Sequence, residues 1–382
     1  MASTLPRERL ALASCAALLE ESARVDELSG AVLIARHGTP LLECAYGYAS
    51  KGHAVLNHVD TMFNIGSMTK MFTAVSIMQL VEQGRVSVDA AIGRYLSDYP
   101  PGTGNRVTIH HLLTHTSGMG SFWNDAFQAR KASLCTVSEY LQLFVDEPLR
   151  FEPGERFSYS NAGYVVLGAI VEQVSGMSYD AYVAEHICSR AGMAHTAAYR
   201  LDEDVPNRAL GYVRENADEV QASVYPRTNL LLSPVKGSPA GGTYSTVHDL
   251  LRFAQALRSH QLLSAASTDT LLQPRVAMGM RGDACYAYGF GCHTVGGVHI
   301  VGHNGGAPGV GAQLDMYLEL GYTVVLLSND GAGAPTKLVR SIRQLLTGVE
   351  RSRHGGSGPG GSSQTYPEAL GTGHHAPAQL SG

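Results

Sequence analysis

The chain has 382 residues, 44% of them hydrophobic and 16% charged, a balance that fits a globular protein with a large core and excludes a chain disordered throughout. A formal net charge of −5 supplies no positive field for polyphosphate, so no nucleic acid is expected as a partner. Nothing approaches the run of roughly eighteen apolar residues that spans a bilayer, so no membrane span is expected either.

At the N-terminus Arg7 and Arg9 precede an apolar run, Leu10 to Leu19, as in a signal peptide. The run is short, Glu20 and Glu21 follow at once, and Leu12, Cys15 and Leu19 keep helical spacing. This predicts an amphipathic helix and a cytoplasmic protein, with a periplasmic or secreted location only if the segment is a signal. Cys15, Cys44, Cys135, Cys188, Cys285 and Cys292 are scattered, without CxxC or a Cys/His cluster. They predict buried free thiols and no metal site, with disulfides only if the location differs.

"GAVLIAR" and "LLECAYGYA" flank "HGTP" and read as a β-hairpin. From about residue 67 the pattern turns helical. In "TKMFTAVSIMQLVEQG" Met71, Val75, Met78 and Val81 recur at steps of four and three, and Gly84 suits a C-terminal cap. "NAGYVVLGAIVEQVSG" repeats the pattern with Val166, Ile170 and Val174, and Gly176 as the stop. Thr246 and Asp249 in "STVHD" form a capping box. Short β-rich runs separated by glycines return beyond residue 284.

A lone hairpin is too short to stand by itself, so it is expected to pair with the late strands. This gives an α/β domain from residues 1–62 plus 235–350, an inserted all-α domain from 63–234, and a disordered Gly/Pro/Ser-rich tail from 351–382. An active site is expected between the domains.

Three stretches carry candidate chemistry. Only Lys51, Lys70, Lys131, Lys236 and Lys337 are lysines, and two lie in Ser-x-x-Lys. Ser233-x-x-Lys236 runs into "GSPAGG" with no amphipathic helix behind it, and its match is read as chance. Ser67 stands at the start of a long helix, where developing negative charge is favoured, and Lys70 is one turn on. A desolvated lysine can take a proton from the serine, which an arginine cannot. In "RFSYSNAGY" Tyr159 and Asn161 precede a helix, and in "VGHNGGAPGVGAQLDMYL" a strand ends near His303 among glycines. His115 in "THTSG" is read as tying down a loop, and Trp123, the only tryptophan, as a candidate lid over the site.

Each piece alone is weak. In this order they resemble the serine β-lactamase and penicillin-binding-protein superfamily, through its Ser-x-x-Lys, Tyr-x-Asn and (Lys/His)-x-Gly motifs. The matching branch holds class C β-lactamases, D-alanyl-D-alanine carboxypeptidases, D-aminopeptidases and family VIII esterases. "LLTHTSGM", "FEPGERFSYSNAGY" and "SPAGGTYSTVHDLLRFAQAL" belong to the same likeness, which spans roughly residues 25 to 347.

The resemblance implies an α+β, β-lactamase/transpeptidase-like fold, with an antiparallel sheet flanked by helices and an inserted all-α domain. It implies Ser67 as nucleophile, Lys70 and Tyr159 as the general-base network without deciding between them, and the N–H groups of Ser67 and Gly306 as oxyanion hole. Asn161 and His303 carry over as substrate-side polar groups. The two-step acyl transfer calls for no metal or cofactor, and the expected partner is a small-molecule ester, amide or β-lactam substrate. Class C enzymes carry Lys where this chain has His303, which argues against carboxylate-bearing β-lactams and favours an esterase or amidase. The alternatives are a D-stereospecific peptidase or carboxypeptidase, and a penicillin-binding-like protein that acylates without turnover.

Overall fold

The computed structural model describes residues 6–213, 225–279, 284–331 and 333–349. Eight strands form its main sheet: β1 (Gly30–Arg36), β2 (Thr39–Tyr46), β3 (Val276–Ala277), β4 (Cys285–Tyr286), β5 (Gly291–Val295), β6 (Val298–Ala307), β7 (Val310–Tyr317) and β8 (Tyr322–Ser328). Their order is β2-β1-β8-β7-β6-β5-β4-β3, antiparallel throughout. The opening hairpin thus closes against the last strand, as its inability to stand alone requires. His37 and Gly38 turn between β1 and β2, both at positive φ, the geometry that matches the twist of paired strands.

Strand alternation assigns the two sheet faces. Val32 and Ile34 of β1 join one apolar cluster, and Ala31, Leu33 and Ala35 the other. The longer helices are α1 (Pro6–Arg24), α2 (Thr69–Glu82), α3 (Asn161–Ser175), α4 (Val247–Arg258), α5 (Ala265–Leu272) and α6 (Gly333–Thr347). α1 and α6 cover the first face through Cys15, Leu19, Leu338 and Ile342, with Leu12 half-buried beside them. The second face packs against α2, α3 and α4, where Phe72 and Phe253 meet edge to face at 4.9 Å. Among the described residues no helix is long and apolar enough to cross a membrane.

Helix α2 departs from the expected amphipathic pattern. Every residue from Thr69 to Leu80 is buried, so this is a core helix enclosed on all sides. Lys70 consequently has no solvent side to turn to. α3 ends at Gly176, φ +78°, as its sequence suggests, and is capped at its start by Ser160 accepting from Gly163 N–H. α4 starts with only half of the expected box. Thr246 accepts from Asp249 N–H, but the Asp249 carboxylate accepts instead from His195 N–H, the Thr196 hydroxyl and Arg252.

The thiol expectation also needs correction. The antiparallel register sets Cys285 directly opposite Cys292, with Cα atoms 5.0 Å apart, and the two form a disulfide, leaving the other four cysteines free. Scattered spacing hid this pair because strand register, not sequence distance, brings it together. The cysteines therefore do not argue for a reducing compartment. The expected tail, residues 351–382, lies outside the described residues.

Candidate active site

The site is assembled where backbone meets backbone. The turn Gly66–Met68 leads into α2 and lies against β6. A Cβ on Gly305 would stand 2.0 Å from the Ile65 carbonyl oxygen, and one on Gly66, itself at φ +52°, 3.1 Å from Gly306 N. Only glycine permits that approach. Gly241 closes in as well, where a Cβ would come 3.3 Å from the Gly66 carbonyl. Three hydrogen bonds fix the turn: Ile65 N–H to Thr243 O at 2.8 Å, Gly66 N–H to Asn64 Oδ1 at 2.9 Å, and the Thr69 hydroxyl to Gly66 O at 2.9 Å. Ser67 is half-exposed and Gly306 exposed beside it. Pairing of β5 with β6 ends at Gly302, while pairing with β7 continues to Ala307.

One turn along α2, Lys70 is fully buried. Its Nζ lies 3.2 Å from Ser67 Oγ, 2.7 Å from Asn161 Oδ1 and 2.6 Å from the Ala240 carbonyl oxygen. Burial pushes the amine well below the ordinary lysine pKa. A neutral amine has two N–H donors and one lone pair. Asn161 Oδ1 and Ala240 O can only accept, so they take both donors. In that neutral form, and among the described residues, the lone pair is free to face the Ser67 hydroxyl, which can donate.

Tyr159 and Asn161 bracket the cap of α3. Asn161 is its first residue and reaches Lys70, while the half-buried Tyr159 holds its ring centroid 4.7 Å from Lys70 Nζ. The structure thus gathers Ser67, Lys70, Tyr159, Asn161 and Gly306 around one turn.

His303 differs from its expected place on the substrate side. It is 1% exposed, its Nδ1–H donates to Asn304 O at 2.6 Å, and its Nε2 accepts from the Tyr286 hydroxyl at 2.9 Å. Both ring nitrogens are engaged inside the protein because alternation along β6 turns this side chain inward. Burial holds its pKa down at about 3. Trp123, the candidate lid, packs its half-buried ring on Phe127 at 4.4 Å and Phe122 at 5.5 Å. Lys236, of the second Ser-x-x-Lys, is ion-paired with Asp180.

Comparison with known proteins agrees with this geometry. The family model described as Beta-lactamase matches residues 18–348. The chain belongs to the beta-lactamase family. "Penicillin-binding protein 4*" of Bacillus subtilis (strain 168) is 32% identical over 324 residues, covering 82% of this chain and 70% of that protein. "Esterase EstB" of Burkholderia gladioli is 29% identical over 276 residues, covering 64% and 69%. The crystal structure of a penicillin binding protein from Bacillus halodurans superposes with a TM-score of 0.77 at 33% identity, covering 86% of this chain and 98% of that one. This beta-lactamase-family chain is a serine hydrolase of the superfamily that also contains the penicillin-binding proteins.

Two parts of its site escaped the sequence. The Ala240 carbonyl is aimed at Lys70 from "GSPAGG", which reads only as a Gly/Pro loop. Pro239 seats that loop by packing where a Cβ on Gly168 would fall, 2.1 Å away, and by accepting from the Thr73 hydroxyl at 2.7 Å. The density of small residues was the available signal. Tyr286, the partner of His303, carried none, since a tyrosine beside glycines in a strand has no distinctive pattern.

Proposed function

We propose that this chain hydrolyses small esters without a free carboxylate, through an acyl-enzyme on Ser67, with Lys70 accepting the first proton. The observation that carries the reading is the set of partners around Lys70: two acceptors fill its donors and leave its lone pair to Ser67 Oγ, 3.2 Å away. Ser67 Oγ attacks the ester carbonyl as its proton passes to Nζ. The carbonyl oxygen gains charge facing the N–H groups of Ser67 and Gly306, each worth about 3 kcal/mol in such a hole. Collapse of the tetrahedral adduct expels the alcohol, which takes up the proton through Lys70 and Tyr159, and leaves the acyl group on Ser67. Water then adds to the acyl carbonyl, giving its proton to the same pair, and releases the acid. Correct base placement supplies a factor on the order of 10²–10⁴.

The substrate class follows from charge. His303 occupies the position where a cation would hold a substrate carboxylate, yet it is kept neutral with both nitrogens occupied. Carboxylate-bearing β-lactams and the C-terminus of a peptide therefore find no counter-charge at His303, whereas a simple ester does not need one. The esterase among the relatives supports the same choice.

Steady-state hydrolysis of p-nitrophenyl butyrate, nitrocefin and a D-alanyl p-nitroanilide by the parent and Ser67→Ala tests the proposal. Ester turnover should lead and should vanish in Ser67→Ala. Leading turnover of the anilide would make the chain a D-stereospecific peptidase, and one acyl group per chain with no further product would make it an acylated binding protein.

A further inference from the structure

The segment that holds Tyr159 takes no part in that scheme. His115 follows the helical turn Ile109–Leu113 at φ +57° and is fully buried, a backbone conformation that side chains rarely adopt and that persists only where the surroundings impose it. Its main chain and ring grip three consecutive residues. The carbonyl accepts from Ser158 N–H at 2.8 Å, Nδ1 accepts from Ser160 N–H at 3.1 Å, and the ring lies on that of Tyr159 with centroids 4.2 Å apart. Tyr159 is therefore clamped through both chain neighbours and through its own ring. With Nδ1 accepting, the ring proton sits on Nε2. That buried atom has no hydrogen-bond partner among the described residues, and the rings of Tyr164 and Tyr286 close around it with centroids 5.0 and 4.7 Å from that of His115.

We propose that His115 is a positioning residue for acyl transfer, fixing the Tyr159 ring beside Lys70 and Asn161 at the start of α3 without touching substrate. The proposal rests on the Ser67 acyl-enzyme reading. Histidine suits the position because it combines three properties. Asparagine offers an acceptor and tolerance of positive φ but no ring, and phenylalanine offers a ring but no acceptor. The groups that face it are the basic side chains of Lys70 and His303 and the phenols of Tyr159, Tyr164 and Tyr286. Burial keeps its imidazole neutral.

The test compares His115→Asn and His115→Phe with the parent on p-nitrophenyl butyrate, counting competent sites with a fluorophosphonate probe of Ser67. Loss of position on the scale of 1 Å costs about 10²-fold, so kcat per labelled serine should fall by about that factor in both variants while KM changes little. In His115→Asn the vacated volume admits water to Lys70, and the acidic limb of the pH profile should move to higher pH. In His115→Phe, which stays dry, the limb should hold. A role in folding alone would lower the labelled fraction and Tm but leave kcat per labelled serine and the limb unchanged, which would overturn the proposal. If neither variant labels, nitrogen NMR of ¹⁵N-histidine in the parent decides. A proton on Nε2 at pH 7 supports the anchor, and a proton on Nδ1 contradicts it, because Ser160 N–H would then have no acceptor. Ser67→Ala run in parallel separates the failures: hydrolysis surviving there ends the acyl-enzyme reading, whereas its loss beside unchanged His115 variants ends only the positioning role.

Discussion

The chain contains the same four-residue pattern twice, and the two copies have opposite surroundings. Lys70 is fully buried, with three uncharged oxygens within 3.2 Å and its pKa pushed well down. Lys236, three residues after Ser233, keeps 21% of its side chain exposed and is ion-paired with Asp180. A carboxylate partner stabilises the ammonium, whereas burial without a counter-charge disfavours it. Identical spacing thus yields a buried amine with a lowered pKa in one place and a half-buried, ion-paired cation in the other. The difference comes from α2 being buried all round, not from the motif.

Breaking the dry copy should have the largest effect. Ser67→Ala is expected to lower kcat by at least about 10³-fold, and Ser233→Ala to leave it within about twofold, measured on p-nitrophenyl butyrate. Lys70→Arg puts a permanently protonated group where a proton acceptor is needed, so kcat should fall on the order of 10²–10⁴-fold with the fold retained by circular dichroism. Gly305→Ala attacks the approach of β6 to the Ser67 turn, where the new Cβ would lie 2.0 Å from a carbonyl oxygen. Urea denaturation should show a loss of about 1–3 kcal/mol or more.

The dry surroundings should also show in the pH dependence of stability. His303, with a pKa of about 3 when folded and near 6.5 when unfolded, takes up a proton on unfolding between those values. Its contribution is complete above about pH 6.5 and is lost as pH falls toward 3, by about 1.4 kcal/mol per pH unit. His303→Gln should flatten the fall in urea midpoint between pH 6.5 and 4.5. Lys236→Ala should have the smallest effect, within about 1 kcal/mol of parental stability, since an exposed pair adds little.

Much of this was legible in the sequence. The hairpin "GAVLIAR"–"LLECAYGYA", the late strands, the stop at Gly176 and the helix that follows Ser67 come from period, glycine placement and capping chemistry, which act over a few residues. The positions of Ser67, Lys70, Tyr159 and Asn161 could be singled out because three short motifs occur in one order. What the sequence concealed depends on register and burial between distant segments. Cys285 meets Cys292 across a strand pair, His303 turns inward to Tyr286, and the Ala240 carbonyl reaches Lys70 across 170 residues. None of these leaves a local pattern, and neither does the packing of Trp123 on Phe122 and Phe127.

The most direct test of the central claim, that burial makes only the first Ser-x-x-Lys reactive, is to quench turnover of p-nitrophenyl butyrate with acid and map the trapped acyl group by peptide mass spectrometry. The account predicts a single butyryl group on the peptide containing Ser67 and none on that containing Ser233. An acyl group on Ser233, or hydrolysis with Ser67 never modified, would contradict it.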